Sequence, residues 1–209
     1  MLETALFVLA GYLAGSMPFG YWLPRVLKGV DVRKGGSGNI GATNVWRTFG
    51  RWYGVPVVLL DVAKGFVPTL LATLYVGHLA GVLTGAAAML GHARPLFLRF
   101  EKGGKMVATC GGAFWGLAPY VALAGLAVWI VVFLAFRYAS VASIAAAVSL
   151  PIVSVAIGEP WPVIAFASAA ALAVLVLHRA NLKRLRAGTE NRFQLRRKDG
   201  PPGREAPAR

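Results

Sequence analysis

Twenty-one of the 22 Lys and Arg residues lie in four stretches of an otherwise apolar chain, and only Lys64 lies elsewhere. Six lie between residues 25 and 51, four between 94 and 105, one at 137 and ten between 179 and 209. In a seven-helix arrangement, all four stretches fall on the same side of a membrane. Because short loops rich in Lys and Arg stay in the cytoplasm, this pattern predicts an N-terminus outside and a basic C-terminal tail inside.

The composition also favours a membrane protein. The chain is 57% hydrophobic and only 14% charged, with a mean hydropathy of +0.62, which is unlike a soluble domain of this size. The net charge of +14 does not indicate nucleic acid, because a soluble nucleic-acid-binding protein would not separate its basic residues by long uncharged runs. We expect the basic residues to contact membrane lipids, at roughly 1 kcal/mol each near anionic head groups.

The apolar segments predict an all-α integral membrane protein with seven transmembrane helices, an N-terminus outside and a cytoplasmic C-terminus. A spanning helix needs roughly 20 mostly apolar residues, and the segments cover approximately residues 2–24, 53–76, 78–98, 106–119, 120–136, 139–157 and 161–179. A six-span alternative would merge the short fourth segment with the fifth, but it would separate the basic stretches between the two sides. We expect one membrane domain over residues 1–190 and a basic, disordered cytoplasmic tail over 191–209.

The first polar stretch, from Gly35 to Arg47, is rich in glycine and in short hydrogen-bond donors. Glycine lets backbone N–H groups converge on an anion, and arginine adds a charged, forked donor. The stretch matches neither a Walker loop nor a Rossmann turn, so it does not imply a nucleotide. We predict that it binds phosphate through Ser37, Gly38, Asn39, Gly41, Thr43, Asn44 and Arg47.

The second stretch places Gly103 and Gly104 directly before Lys105, at the beginning of a predicted helix. Helix N-termini favour anions, and a lysine at that position strengthens such a site. Lys102 and Thr109, on either side, complete the candidate phosphate ligands of this stretch. His92, further upstream, is interpreted as a cap or a packed polar residue.

The third stretch lies at the cytoplasmic end of the last predicted span. His178 and Asn181 are three residues apart, and therefore share one face of a helix that Arg184 extends. A separate polar pair, Asp61 and Lys64, lies one turn apart within the second span. Ionisable groups below the membrane surface cost roughly 3 kcal/mol each, so we expect these two to pair with each other.

These stretches together resemble the PlsY-type acyl-phosphate:glycerol-3-phosphate acyltransferases of bacterial membranes. The resemblance is carried in order by the run from Gly36 to Val45 with Arg47, by Gly-Gly-Lys and Val-Ala-Thr around Lys105, and by His178 with Asn181. It extends to about Glu190, and it implies a seven-helix fold with the N-terminus outside. The chain departs from the family pattern in the second stretch, where Met106 stands at a position usually occupied by glycine.

The resemblance implies transfer of a fatty acyl group from acyl phosphate to the 1-hydroxyl of sn-glycerol 3-phosphate, giving lysophosphatidic acid and phosphate. Arg47, Lys105, His178 and Asn181 would hold glycerol 3-phosphate, and the Ser37–Asn44 loop would hold the phosphate of the donor. The expected location is the bacterial cell membrane, the inner membrane where there are two, as a multi-pass protein with a cytoplasmic active site. The enzyme that makes acyl phosphate is a candidate partner.

The residues also limit the mechanism. The only cysteine, Cys110, excludes a multi-cysteine metal site, and we expect no cofactor and no metal. Gly35–Asn39 fails the Gly-x-Ser-x-Gly pattern, so a serine nucleophile is unsupported. Catalysis by positioning and electrostatics is expected, with His178 the one candidate protein base. The alternative function is a membrane transporter of a phosphorylated small molecule, although such sites usually lie near the bilayer midplane.

Overall fold

The computed structural model describes residues 1–193, and this part of the chain is all-helical. Two short 3-10 turns, Val32–Lys34 and Leu96–Leu98, lie in the connections between helices. The α-helices are α1 Leu2–Gly15, α2 Phe19–Lys28, α3 Ala42–Phe49, α4 Arg51–Tyr75, α5 His78–Ala93, α6 Val107–Leu117, α7 Pro119–Phe136, α8 Ala139–Ala156, α9 Trp161–Leu177 and α10 Arg179–Arg186.

Four helical segments within residues 1–193 are long and apolar enough to cross a membrane. They are α1 with α2, α4, α7 and α8, and a fifth results if α9 and α10, which meet at a bend of 55°, are counted as one span. Each of the seven predicted apolar segments corresponds to helix, but α5 has only 16 residues and α6 only 11. At 1.5 Å per residue, α6 is roughly 16 Å long, about half the thickness of the hydrocarbon core.

Two predicted boundaries were wrong. The predicted helix over residues 78–98 ends at Ala93, because Pro95 disfavours helical geometry in the residue before it. The predicted first span over residues 2–24 breaks between Ser16 and Pro18, and a second helix then continues to Lys28. The freed carbonyl oxygen of Met17 at this break accepts a hydrogen bond of 2.8 Å from Lys64 Nζ.

The helices form two groups. The first group contains α1, α4, α5 and α6, and the second contains α7, α8 and α9, with α6 contacting α7 and α5 contacting α9. Small residues allow close helix contacts in the first group: a Cβ on Gly65 would lie 2.1 Å from Thr109 O, and one on Gly112 would lie 2.0 Å from Val62 O. The boundary between the two groups contains the site described next.

Candidate functional site

Asn44 organises the first polar stretch. Its side chain is 4% exposed, and its Oδ1 accepts a hydrogen bond of 2.9 Å from the Ser37 backbone N–H. Its Nδ2 donates to the carbonyl oxygens of Asn39 at 2.9 Å and Gly35 at 3.2 Å. Gly36 has a φ of +58°, and a Cβ there would lie 2.3 Å from Asn44 Oδ1, so glycine is required. Asn44 therefore shapes the loop that carries Ser37 and Asn39.

Asn39 connects the first stretch to the second. Its Oδ1 accepts a hydrogen bond of 2.8 Å from the Gly41 backbone N–H, at the residue that precedes α3. Its Nδ2 donates to Gly103 O at 3.2 Å. Two loops that lie 64 positions apart in the sequence are thereby held side by side.

The paired glycines before Lys105 let the second loop pack closely on the end of α5. Gly103 N–H donates to Ala93 O and Gly104 N–H donates to His92 O, both at 3.0 Å. A Cβ on Gly104 would lie 1.8 Å from His92 Nε2, so no larger residue fits without a shift. This packing fixes the position of the backbone immediately before Lys105. The close contact with α5 is the reason why both residues are glycines.

The third stretch is positioned by the bend between α9 and α10. His178 lies at this bend, is 3% exposed, and has Nδ1 2.8 Å from Val174 O. A carbonyl oxygen only accepts, so Nδ1 carries the proton, and Nε2 of the neutral ring is left as an acceptor. Asn181 and Arg184 follow on the same face of α10, as the sequence predicted, and all three side chains line one cavity.

Lys105, Asn181 and Glu190 form a connected hydrogen-bond network. Lys105 Nζ donates to Asn181 Oδ1, and Asn181 Nδ2 donates to Glu190 Oε1 at 2.7 Å. Glu190 also accepts from Ser140 Oγ at 2.9 Å and from Arg184 Nε at 2.7 Å. Sequence reasoning missed Glu190 and Ser140 as site residues. The available signal was a carboxylate that follows four basic residues between 179 and 186, which indicates an ion pair but not its place in the site.

Arg47, on α3, bonds to the backbone of the residue that follows Glu190. Its Nη2 donates to Asn191 O at 2.8 Å, and its guanidinium lies 5.8 Å from the centroid of the Phe193 ring. Phe193 N–H in turn donates to Arg137 O at 2.7 Å. Residues 191–193, which the sequence assigned to the tail, thus pack beside the site. The remainder of the predicted tail, 194–209, lies outside the described residues.

The three predicted stretches meet at one cavity of about 340 Å³. Apart from Asp61, His92, Ser140 and Ser143, the rest of its wall is mainly apolar and is formed by α4, α6, α7, α8 and α9. The polar side chains at one end come from all three stretches and comprise Ser37, Asn39, Thr43, Asn44, Arg47, Lys105, His178, Asn181, Arg184 and Glu190. The predicted convergence of Arg47, Lys105 and Asn181 is therefore confirmed.

Five other candidate residues do not line the cavity: Gly38, Lys102, Gly103, Gly104 and Thr109. Gly38, Gly103 and Gly104 determine the path of the two loops. Lys102 is exposed on the outside of its loop. Thr109 is fully buried where α6 packs against α4, so it is placed away from any ligand in the cavity.

Burial and neighbouring charges shift the pKa values in the network. Burial lowers the pKa of Lys105 to about 8, an effect that Glu190 opposes and that Arg184, Lys102 and Arg47 reinforce. Burial also lowers the pKa of Arg47, although the guanidinium remains charged. Burial raises the pKa of Glu190, but hydrogen bonds from Asn181, Arg184 and Ser140 outweigh it and bring the pKa below its usual value.

A buried ionic cluster lies beside the cavity. Lys64 Nζ is 2.7 Å from Asp61 Oδ1, which confirms the predicted pair, and both side chains are 3% exposed. His92 Nδ1 lies 3.6 Å from the same carboxylate oxygen. Asp61 and His92 line the cavity, whereas the Lys64 side chain bonds to the backbone at the break between α1 and α2. Within residues 1–193, no three His, Cys, Asp or Glu side chains are grouped so that they could hold a metal ion.

Residues 5–188 match the family model described as glycerol-3-phosphate acyltransferase. Two similar proteins carry the same description. One from Desulforudis audaxviator is 45% identical, over 94% of this chain and 98% of that protein. One from Aquifex aeolicus is 46% identical, over 92% of this chain and all of that protein.

Two solved structures are similar over 91% of this chain. Both are of PlsY (YgiH), described as an integral membrane glycerol 3-phosphate acyltransferase. Its glycerol 3-phosphate form has a TM-score of 0.88 at 43% identity over 96% of that chain. Its lysophosphatidic acid form has a TM-score of 0.85 at 42% identity over 95% of that chain. These descriptions favour an enzyme over a transporter.

Proposed function

The chain belongs to the glycerol-3-phosphate acyltransferase family, and we propose that its cavity transfers a fatty acyl group from acyl phosphate to the 1-hydroxyl of sn-glycerol 3-phosphate. The observation that carries this proposal is the meeting of Arg47, Lys105 and Asn181 at the mouth of an apolar cavity. A phosphate group fits the basic mouth, and an acyl chain fits the apolar remainder. The products are lysophosphatidic acid and inorganic phosphate.

Both substrates carry phosphate groups, and the mouth of the cavity is suited to them. Arg47, Lys105 and Arg184 bring three positive charges, while Glu190 brings one negative charge. We propose that Arg47, Lys105 and Asn181 hold the phosphate of glycerol 3-phosphate, and that the loop carrying Ser37 and its neighbours holds the phosphate of the donor. Fixed donors in a site shielded from water bind anions more strongly than the same donors in water.

The chemistry requires no covalent enzyme intermediate. The 1-hydroxyl attacks the carbonyl carbon of the mixed anhydride, a carbon–oxygen bond forms, and the bond from that carbon to the phosphate oxygen breaks. The hydroxyl proton passes to His178 Nε2 or to a phosphate oxygen of the substrate, and inorganic phosphate leaves. Lys105 and Arg47 stabilise the negative charge on the phosphate groups, and the remaining rate enhancement comes from holding the two substrates together.

We further propose that the protein crosses the bacterial cell membrane seven times, with its N-terminus outside and its active site facing the cytoplasm. The four basic stretches support this orientation because each lies at the same end of the predicted spans. The seven spans would be α1 with α2, then α4, α5, α6, α7, α8 and α9.

Cysteine labelling on intact cells tests the orientation. In a Cys110→Ala background, Gly77→Cys should react with a membrane-impermeant thiol reagent and Arg99→Cys should react only after lysis. The opposite order of labelling would contradict the proposed orientation.

The donor assignment is tested by supplying the purified protein with glycerol 3-phosphate and one of three palmitoyl donors. Palmitoyl phosphate should give lysophosphatidic acid, whereas palmitoyl coenzyme A and palmitoyl carrier protein should not. Lys105→Gln should remove most activity, and Lys28→Gln, at the exposed end of α2, serves as the matched control. Product formed from a thioester but not from palmitoyl phosphate would overturn the donor assignment.

A further inference from the structure

The apolar part of the cavity follows one face of α8 away from the phosphate site. Ser140 hydrogen-bonds to Glu190 at the polar end, and Ser143, Ala147 and Leu150 line the cavity at intervals of three or four residues beyond it. Such spacing places them on a single helical face. Leu150 lies ten positions after Ser140, which corresponds to a distance of roughly 15 Å along the helix.

Two side chains that line the apolar part of the cavity, Phe114 and Leu150, differ in rigidity. Phe114 is fully buried and stacks on Phe166, with ring centroids 5.1 Å apart and an angle of 15° between the rings. Leu150 is 6% exposed, and its Cδ2 occupies the space beside Gly125, where a Cβ would lie only 2.8 Å away. Of these two residues, Leu150 can therefore be shortened without breaking an aromatic stack.

A third lining residue, Gly111, lies nearer to the phosphate site than Phe114 does. It lies on α6, one turn before Phe114, and lines the cavity. A Cβ at this position would meet no atom within 4 Å, other than those of its own helix backbone and chain neighbours. The space beside Gly111 is thus open to a Cβ, and the side chain of a larger residue would extend into the cavity.

We propose that Leu150 and Gly111 determine which acyl-chain lengths the enzyme accepts. Leu150 ends the space available to the terminal carbons of the chain, and Gly111 leaves room for the chain to pass from the phosphate site to that end. This proposal rests on the proposed function and names the specificity-determining residues of the same site. Each methylene that enters the cavity leaves an aqueous or interfacial environment for an apolar one, so length is recognised through burial.

A competition assay tests the proposal. The purified enzyme receives glycerol 3-phosphate and an equimolar mixture of dodecanoyl, tetradecanoyl, hexadecanoyl and octadecanoyl phosphate, and the products are quantified by mass spectrometry. Leu150→Ala should shift the products to longer chains, by up to about fourfold for each additional methylene accommodated. Gly111→Leu should shift them to shorter chains. Leu123→Ala, on the exposed face of α7, should keep the wild-type distribution.

The outcomes separate this proposal from the proposed function. If the wild type makes no lysophosphatidic acid from any acyl phosphate, both are overturned. If the wild type is active but Leu150→Ala and Gly111→Leu keep its product distribution, only the length assignment is overturned. Should Leu150→Ala fold poorly, Gly111→Leu decides alone, because leucine favours a helix more than glycine does and has open space to occupy.

Discussion

Lys105 Nζ donates a hydrogen bond to Asn181 Oδ1, although the two residues lie 76 positions apart. Lys105 lies between α5 and α6, and Asn181 lies on α10, so the bond joins the loop before α6 to the helix that follows α9, at the wall of the cavity. The side-chain amide of Asn181 also donates a hydrogen bond to Glu190, so one carboxylate is connected to Lys105 through Asn181. The ammonium is therefore held at a fixed position, with Arg47 lining the same cavity mouth.

The pH dependence of the reaction should report the charge of Lys105. Its pKa is lowered to about 8, so the ammonium is present at pH 7 and is lost as the pH rises through that value. We predict that kcat/KM for glycerol 3-phosphate falls above about pH 8. Lys105→Arg should move this fall to higher pH, because a guanidinium stays protonated. An unchanged profile in that variant would show that another group titrates.

Glu190 should contribute to stability through its hydrogen bonds. Each bond to a buried charged group contributes about 1.5–3 kcal/mol, so we predict that Glu190→Gln lowers the free energy of unfolding by at least about 1.5 kcal/mol at neutral pH. The folded-state pKa of Glu190 lies below its usual value, so this contribution is present above the unfolded-state pKa and is lost as the pH falls through the folded-state pKa.

Thermal unfolding in detergent across that pH range measures both effects. The wild type and Glu190→Gln should differ at neutral pH and should approach each other in acid. A difference that stayed constant over the whole range would contradict the account, because the variant has no carboxylate to titrate at residue 190.

His178 can be tested as a base with one variant. A general base contributes about 10²–10⁴-fold, so His178→Ala should lower kcat by at least about a hundredfold if Nε2 accepts the hydroxyl proton. Measurements at saturating concentrations of both substrates separate kcat from KM. A change confined to KM would assign His178 to binding, and the substrate phosphate would then be the remaining proton acceptor.

Met106 lies at a backbone position that favours glycine. It precedes α6 with a φ of +68°, which costs roughly 1–2 kcal/mol for a residue with a Cβ. Both Met106→Gly and Met106→Ala remove a buried side chain, so the difference between them isolates the backbone effect. We predict that Met106→Gly is more stable than Met106→Ala, by about 1 kcal/mol, in thermal unfolding. The reverse order, usual within helices, would contradict the positive φ.

The glycine-rich loop, Lys105 and the His178–Asn181 face could be predicted from sequence because each combines donors with unusual backbone or helical spacing. The role of Glu190 could not be predicted, because it depends on the path of the chain after α10. That path brings Glu190 back to Ser140 and to α10. The break between Ser16 and Pro18 was also missed, because the apolar residues continue through it. Lys102 and Thr109 have suitable side chains, but Lys102 is exposed to solvent and Thr109 is packed between α4 and α6, so neither lines the cavity.

The central claim is that Arg47, Lys105 and Asn181 form one binding site for the phosphate of glycerol 3-phosphate. The most direct test is calorimetric titration of glycerol 3-phosphate, without an acyl donor, into the wild type and into Arg47→Gln, Lys105→Gln and Asn181→Ala. Each lost hydrogen bond to a charged group is expected to weaken binding by about tenfold or more. Wild-type affinity in all three variants would contradict a shared site.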